Sequence, residues 1–257
     1  TCLVTALARE GASLSAEGRL SAAGGIRQLA KSIGAALDDY LERTEIVAAR
    51  CMSLQFTKQE VLGAPVIEII PQLDGAPQEW LRSFDRYETV RGRYDVSLPN
   101  GGIAHVVTTP ELREALEPIK RMPKRRIASE QALLFLYNPC AVLGDSATAV
   151  VDLEDFESRR REAGVVFKQL QVAPELSPSQ ATLEVLLVDP EGREQDQSIR
   201  LSREQAASLL RASARSRQRG LPLFSWEGEE IELGGSTEEA LRAVEKWLVA
   251  SDISTLA

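Results

Sequence analysis

An α+β fold is what this sequence predicts: two small mixed domains in which antiparallel hairpins are packed by amphipathic helices. Three observations carry the prediction. Short β-branched runs meet across glycine-bearing turns, the pattern of hairpins, around Pro99–Gly102 and around Asp189–Gly192. Apolar residues spaced three or four apart mark helices, most cleanly from Ser202 to Gly220. No fixed-period repeat or low-complexity tract is present, so solenoid, propeller and coiled-coil architectures drop out.

From the N-terminal side, Ile26, Leu29, Ile33, Leu37, Leu41 and Ile46 predict an amphipathic helix within 21–50, weakened at Gly34 because glycine costs about 1 kcal/mol in a helix interior. Val66–Ile70 is β-branched and lies between Pro65 and Pro71, which should confine it to a short strand. Trp80, Leu81 and Phe84 share helical spacing. The 86–98 stretch and Ile103–Thr108 then read as the two arms of a hairpin, turned at Pro99, Asn100, Gly101 and Gly102. Thr109 followed by Pro110 starts a helix, since the hydroxyl caps free amides and the missing proline N–H costs nothing there. Pro118 and Pro123 should interrupt it and leave 120–126 partly extended. Ser129–Tyr137 resumes as a helix before Asn138 and Pro139, and Phe156–Ala163 as another that stops at Gly164.

Val165–Val172 reads as a strand, and the prolines and serines of Pro174–Ser179 read as a linker. The expected domains are therefore 1–173 and 180–257, the second with the order ββαβα. Ala181–Val188 and Gln195–Leu201 form its hairpin. Ser202 with Gln205 three residues on is a capping box for the next helix. Phe224–Leu233 gives one or two strands turning at Glu227 and Gly228, and Ser236 with Glu239 predicts a capping box on the last helix.

Composition bounds the function classes. With 257 residues, 44% apolar and 26% charged, the chain has enough material for a core without metals or disulfides. No run approaches the roughly 18 apolar residues of a membrane-spanning helix. Cys2, Cys51 and Cys140 are too scattered for a disulfide framework, which favours a reducing cytoplasm. His105 is the single histidine and sits in a strand-like stretch, where a packed residue is expected rather than a base. Without GxxxxGK, GxGxxG or GxSxG spacing, neither ATP binding nor serine hydrolase chemistry is expected, and no cofactor is implied. Thr1 opens the chain in place of Met, which reads as the edge of a domain rather than as an N-terminal nucleophile.

Clusters of like charge are the remaining candidates. Lys120, Arg121, Lys124, Arg125 and Arg126 put five cations into seven positions of a proline-interrupted connector, where no helix dipole accounts for them. They are the expected contact patch for a nucleic acid or a protein partner, although the net charge of −8 opposes a surface that is basic throughout. Four arginines between Arg211 and Arg219 lie on or beyond a helix end and match its dipole. Arg159, Arg160 and Arg161 read as a solvated face. Asp152, Glu154 and Asp155, within the acidic stretch 145–157, give an alternative: a metal-dependent nuclease or phosphoesterase. A small-ligand-binding module is a further alternative.

Ala132–Leu136 running into Asn138, Pro139, Leu143, Gly144, Asp152, Phe156, Ala163 and Gly164, within 109–166, is similar to accessory regions that flank the motor of bacterial Swi/Snf-type helicases linked to restriction or phage defence. Ser202–Gly220 followed by Trp226, Glu227, Gly228 and Ile231 resembles the same proteins. The resemblance covers well under half the chain and includes no motor motif, so it carries over no ATPase activity. It implies a non-catalytic accessory region that positions a motor or a partner. The expected partners are therefore the rest of a larger bacterial nucleic-acid-acting polypeptide or a separate protein, with DNA as a further candidate at the basic connector and no membrane.

Overall fold

The computed structural model describes residues 15–37, 43–61, 64–99, 101–172, 183–190, 192 and 196–254. Its fold is α+β, divided into two units, Thr1–Ala163 and Gly164–Ala257. The linker expected at 174–179, Thr1 and Cys2 lie outside the described residues.

In the first unit, helix α1 (Ala16–Ser32) is capped by Ser15, whose hydroxyl accepts from the Gly18 amide. It does not run on toward Ile46. Gly34 takes a φ of +68°, which ends it, and Thr44–Ala49 is strand β1. β-branched Thr44, Ile46 and Val47 are stiff at χ1 and suit an extended chain better than a helix. Gly24 lets α1 lie close to this strand, because a Cβ there would meet Ile46 Cγ2 at 3.1 Å. β1 pairs in parallel with β5 (Ile103–Thr108), and β5 pairs antiparallel with β4 (Arg93–Ser97), giving the order β1-β5-β4. The hairpin turn at 98–102 is closed by the Gly101 amide on the Leu98 carbonyl.

A second sheet has the order β2-β3-β6, from Met52–Val61, Ala64–Leu73 and Arg126–Ala128. β3 runs through both Pro65 and Pro71, where a shorter strand was expected. β6 covers only Val66–Glu68, so both prolines fall where one side of β3 carries no partner strand and a missing donor is tolerated. Helix α2 (Trp80–Arg86) places Trp80 and Phe84 against Tyr94 of β4, with ring centroids 5.8 and 6.0 Å from it. Burial pushes the Tyr94 phenol up to about 12.

Helix α3 (Pro110–Arg121) begins as its residues predict, with the Thr109 hydroxyl accepting from the Leu112 amide at 3.3 Å. It continues through Pro118, contrary to expectation. The hydrogen bond lost there is offset by burying Leu112, Ala115, Leu116 and Ile119 on one face, since packing of an apolar face is what chiefly stabilises a helix of this length. After a 3₁₀ turn at Pro123–Arg125 come α4 (Ser129–Tyr137), with the bounds the sequence predicts, and the short α5 (Pro139–Leu143) and α6 (Ala147–Val150). α7 (Leu153–Glu162) ends at Gly164, whose φ is +68°. Phe56, Phe135 and Phe156 pack together between β2, α4 and α7.

The second unit holds a sheet in the order β7-β8-β9 (Gln169–Val172, Leu183–Val188, Gln197–Leu201). β7 precedes the expected linker yet pairs with β8 beyond it, so it joins this unit. The Ser202–Gln205 capping box is complete, with bonds of 3.1 and 3.2 Å, and opens α8 (Arg203–Gln218). β10 (Leu223–Trp226) and β11 (Glu229–Glu232) form a hairpin turning on Glu227 and Gly228, both at positive φ. Helix α9 spans Gly235–Ser254, so Ser236 lies inside its first turn rather than capping it. Ser236 donates instead to Gln169 Oε1, and buried Thr237 accepts from the Leu170 amide at 2.9 Å, fastening α9 to β7. Val185, Leu187, Leu209, Phe224, Trp226, Ile231 and Val244 fill the core between these elements.

Candidate functional site

The five cations of 120–126 come together, but not as a free basic loop. Lys120 and Arg121 end α3, where the last carbonyls favour positive charge. The chain then reverses through Lys124 and Arg125, at φ 54° and 55°, before Arg126 enters β6. Non-glycine residues take this left-handed conformation at a cost of roughly 1–3 kcal/mol, so neighbouring bonds must hold the turn. Three residues supply them. Arg125 is ion-paired with Asp85, lies 3.6 Å from Glu68 and donates through Nε to the Ile69 carbonyl at 3.0 Å. Arg126 donates through Nε and Nη2 to Glu68 Oε2, at 3.0 and 2.7 Å. Lys120 Nζ donates to the Phe84 carbonyl at 2.5 Å and lies 4.6 Å from the centre of that ring.

Around these residues lies a cleft of about 410 Å³, lined by Glu68, Asp85, Lys120, Met122, Lys124 and Arg125 among others. Burial lowers the Lys120 pKa, and neighbouring Arg125 lowers it further against the opposing effect of Asp85. Arg121 reaches Glu117 at 3.7 Å but is 79% exposed. Set against Glu68, Asp85 and Glu117, the five cations leave a surplus of two positive charges. Arg121, Lys124 and Arg126 are exposed, with Arg121 beside Glu117 and Arg126 held by Glu68.

The acidic cluster offers less. Asp152 caps α7 by accepting from the Asp155 amide at 3.0 Å, and Asp155 is bound to Arg159 at 2.7 Å. Among the described residues no three His, Cys, Asp or Glu side chains are placed to hold a metal ion, so the metal-dependent nuclease or phosphoesterase alternative is not favoured. The arginine run of α7 is tied along its own helix, Arg159 to Asp155 and Arg161 to Glu157. His105 is paired across the β4–β5 ladder with Asp95 at 2.6 Å, and Asp95 is also bound by Arg93 at 2.9 Å. Burial would raise the Asp95 carboxyl, but these two partners outweigh it and hold it below the ordinary carboxylate range.

Sequence spacing does not find Glu68 and Asp85, which hold the turn from 58 and 40 residues away. The single local hint is alternation: buried Ile67 and Ile69 flank Glu68, which places its carboxylate on the opposite face of β3, directly across from Arg126. Among the described residues no helix is long and apolar enough to cross a membrane. No protein-family model matches the chain. The chain spans about one fifth of the length of the curated relative it matches. Over 218 residues, 83% of its own length and 20% of that protein's, the chain is 34% identical to Zorya protein ZorD of Escherichia coli O139:H28 (strain E24377A / ETEC), and that is the protein it is similar to.

Proposed function

We propose that this chain is a non-catalytic accessory segment of a ZorD-like bacterial phage-defence protein of the nucleic-acid-acting, helicase type, and that its basic turn docks against an acidic protein surface. The similarity to ZorD supports the setting, and the accessory role rests on the sequence resemblance of 109–166 and 202–231 to regions flanking the motor of defence-linked Swi/Snf-type helicases. The observation that carries the docking role is the turn itself: a strained backbone at Lys124 and Arg125, braced by Arg125, Arg126 and Lys120, with Lys124 and Arg121 turned outward. Strain kept in place by surrounding bonds is characteristic of a contact point.

Charge decides between protein and nucleic acid as the partner. Five free cations would give a log–log salt slope of about −4.5 on duplex DNA, whereas two give about −1.8, a weak grip. The test is binding of the purified chain to the rest of a ZorD-like protein, compared with Lys124→Glu plus Arg121→Glu, alongside titration with duplex and single-stranded DNA over a salt series. The expected result is a complex weakened at least tenfold by the double change, with DNA binding shallow in salt. A slope near −4.5 would overturn the protein-facing reading, and an unaffected complex would remove the turn from the interface.

A further inference from the structure

The second unit carries a positive site that the arginine count alone disguises. Ser208, Arg211, Ala212 and Arg215 fall at i, i+3, i+4 and i+7 of α8 and so share one face. That face forms one wall of a cleft of about 430 Å³, whose other wall is Ser225, Trp226 and Glu227 at the end of β10. The helix dipole accounts for cations in the last turn, such as Arg215 and Arg217, but Arg211 is the ninth of sixteen residues and lies well before it. Arg217 has an acidic neighbour, Glu238 at 4.0 Å. Among the described residues neither Arg211 nor Arg215 forms an ion pair; Arg211 bonds only through Nε to the Ala207 carbonyl at 3.2 Å.

A second observation is independent of charge. Trp226 is 4% exposed, and its indole N–H meets no acceptor among the described residues. A buried donor left unmatched costs about 1–3 kcal/mol. Its ring belongs to the core of the unit, yet the same residue is among those that line the cleft with Arg211, Arg215 and Glu227. Guanidinium forks bind phosphate oxygens, like those of carboxylate, in a bidentate manner, and an indole N–H and a serine hydroxyl add neutral donors. Glu227 opposes an anion, although Gln205 Nε2 holds its Oε1 at 3.2 Å.

We propose that this cleft binds a phosphate group, through Arg211, Arg215 and Ser208, with the Trp226 N–H supplied with its acceptor on binding. The residues are separate from the basic turn of the first unit, so either reading stands if the other fails. The test follows the Trp226 indole N–H resonance of the whole chain by ¹H–¹⁵N NMR. Trp226→Phe removes that resonance and assigns it; should this variant not fold, Trp80→Phe and Trp247→Phe assign it by elimination. Inorganic phosphate and a short single-stranded oligonucleotide are titrated separately. The expected result is a saturable shift of this resonance, weakened at least tenfold in Arg211→Ala plus Arg215→Ala and strengthened several-fold in Glu227→Gln. A shift with both probes, or with phosphate alone, identifies a site for a small phosphate ligand; a shift with the oligonucleotide alone identifies a phosphodiester backbone as the source. A resonance that moves with neither probe, or equally in the double-arginine variant, would overturn the proposal.

Discussion

The basic turn of the first unit and the arginine face of the second make opposite use of positive charge. The turn concentrates five cations in seven residues and commits most of them internally, to Glu68, Asp85, Glu117 and the Phe84 and Ile69 carbonyls. On α8 only two arginines face the cleft, one helical turn apart, and neither is ion-paired among the described residues. Charge density along a sequence therefore measures how many partners a segment can take, while availability depends on which acceptors the fold brings to it. In the turn the arginines set backbone geometry; on the helix they are left to meet something else.

The sharpest way to break this contrast is to remove the brace. Arg125→Ala leaves Asp85 without its ion-pair partner, leaves Glu68 with Arg126 alone and frees the Ile69 carbonyl, at a side chain only 14% exposed, and should cost about 2–4 kcal/mol in urea unfolding. Lys124→Ala, one residue earlier but exposed, should stay within about 0.5 kcal/mol. Equal losses at the two positions would refute the division into bracing and presenting residues. A smaller effect calibrates the second unit: Ser202→Ala removes half of the capping box that fixes the start of α8, and should cost about 1 kcal/mol without altering the Arg211–Arg215 spacing.

The smallest effect concerns a charge group that is wholly internal to its sheet. Asp95 is held below the usual carboxylate range by His105 and Arg93, so its contribution is present above its unfolded pKa and lost as pH falls through the lowered one. About half of its side chain is exposed, so solvent screening limits that contribution to a few tenths of a kcal/mol. Asp95→Asn should flatten the acid limb of the stability curve by that amount and leave binding at the turn and at the α8 cleft unchanged.

What is legible in the sequence is what short-range chemistry dictates. Thr109 before Pro110, the Ser202–Gln205 pair, the turn around Gly101 and the bounds of Ser129–Tyr137 all depend on atoms within four residues of one another. The failures share a long range. Thr44–Ala49 continues a helical spacing from the preceding residues, and only the edge of β5 makes it a strand. Pro118 is tolerated because a buried face elsewhere on α3 outweighs one bond. Ser236 has the spacing of a cap but is claimed by Gln169 from β7. For the sites, the basic residues are visible in the sequence, whereas Glu68 and Asp85, which decide what those residues do, are not. Arg211 and Trp226 both stand out along the chain, but nothing in the linear order sets them beside the same cleft.

The parallel pairing of β1 with β5 also bears on how the chain comes into being. Thr44 meets Ile103 roughly 60 residues later, so during synthesis at roughly 5–20 residues per second β1 has no partner for about 3–12 s after it is made. Over that interval an unsatisfied strand edge is presented to the surroundings, and the first unit depends on a late arrival to cover it. Nascent chains stalled before residue 103 should be the most prone to capture by chaperones, and those stalled beyond 108, once clear of the ribosome, the least.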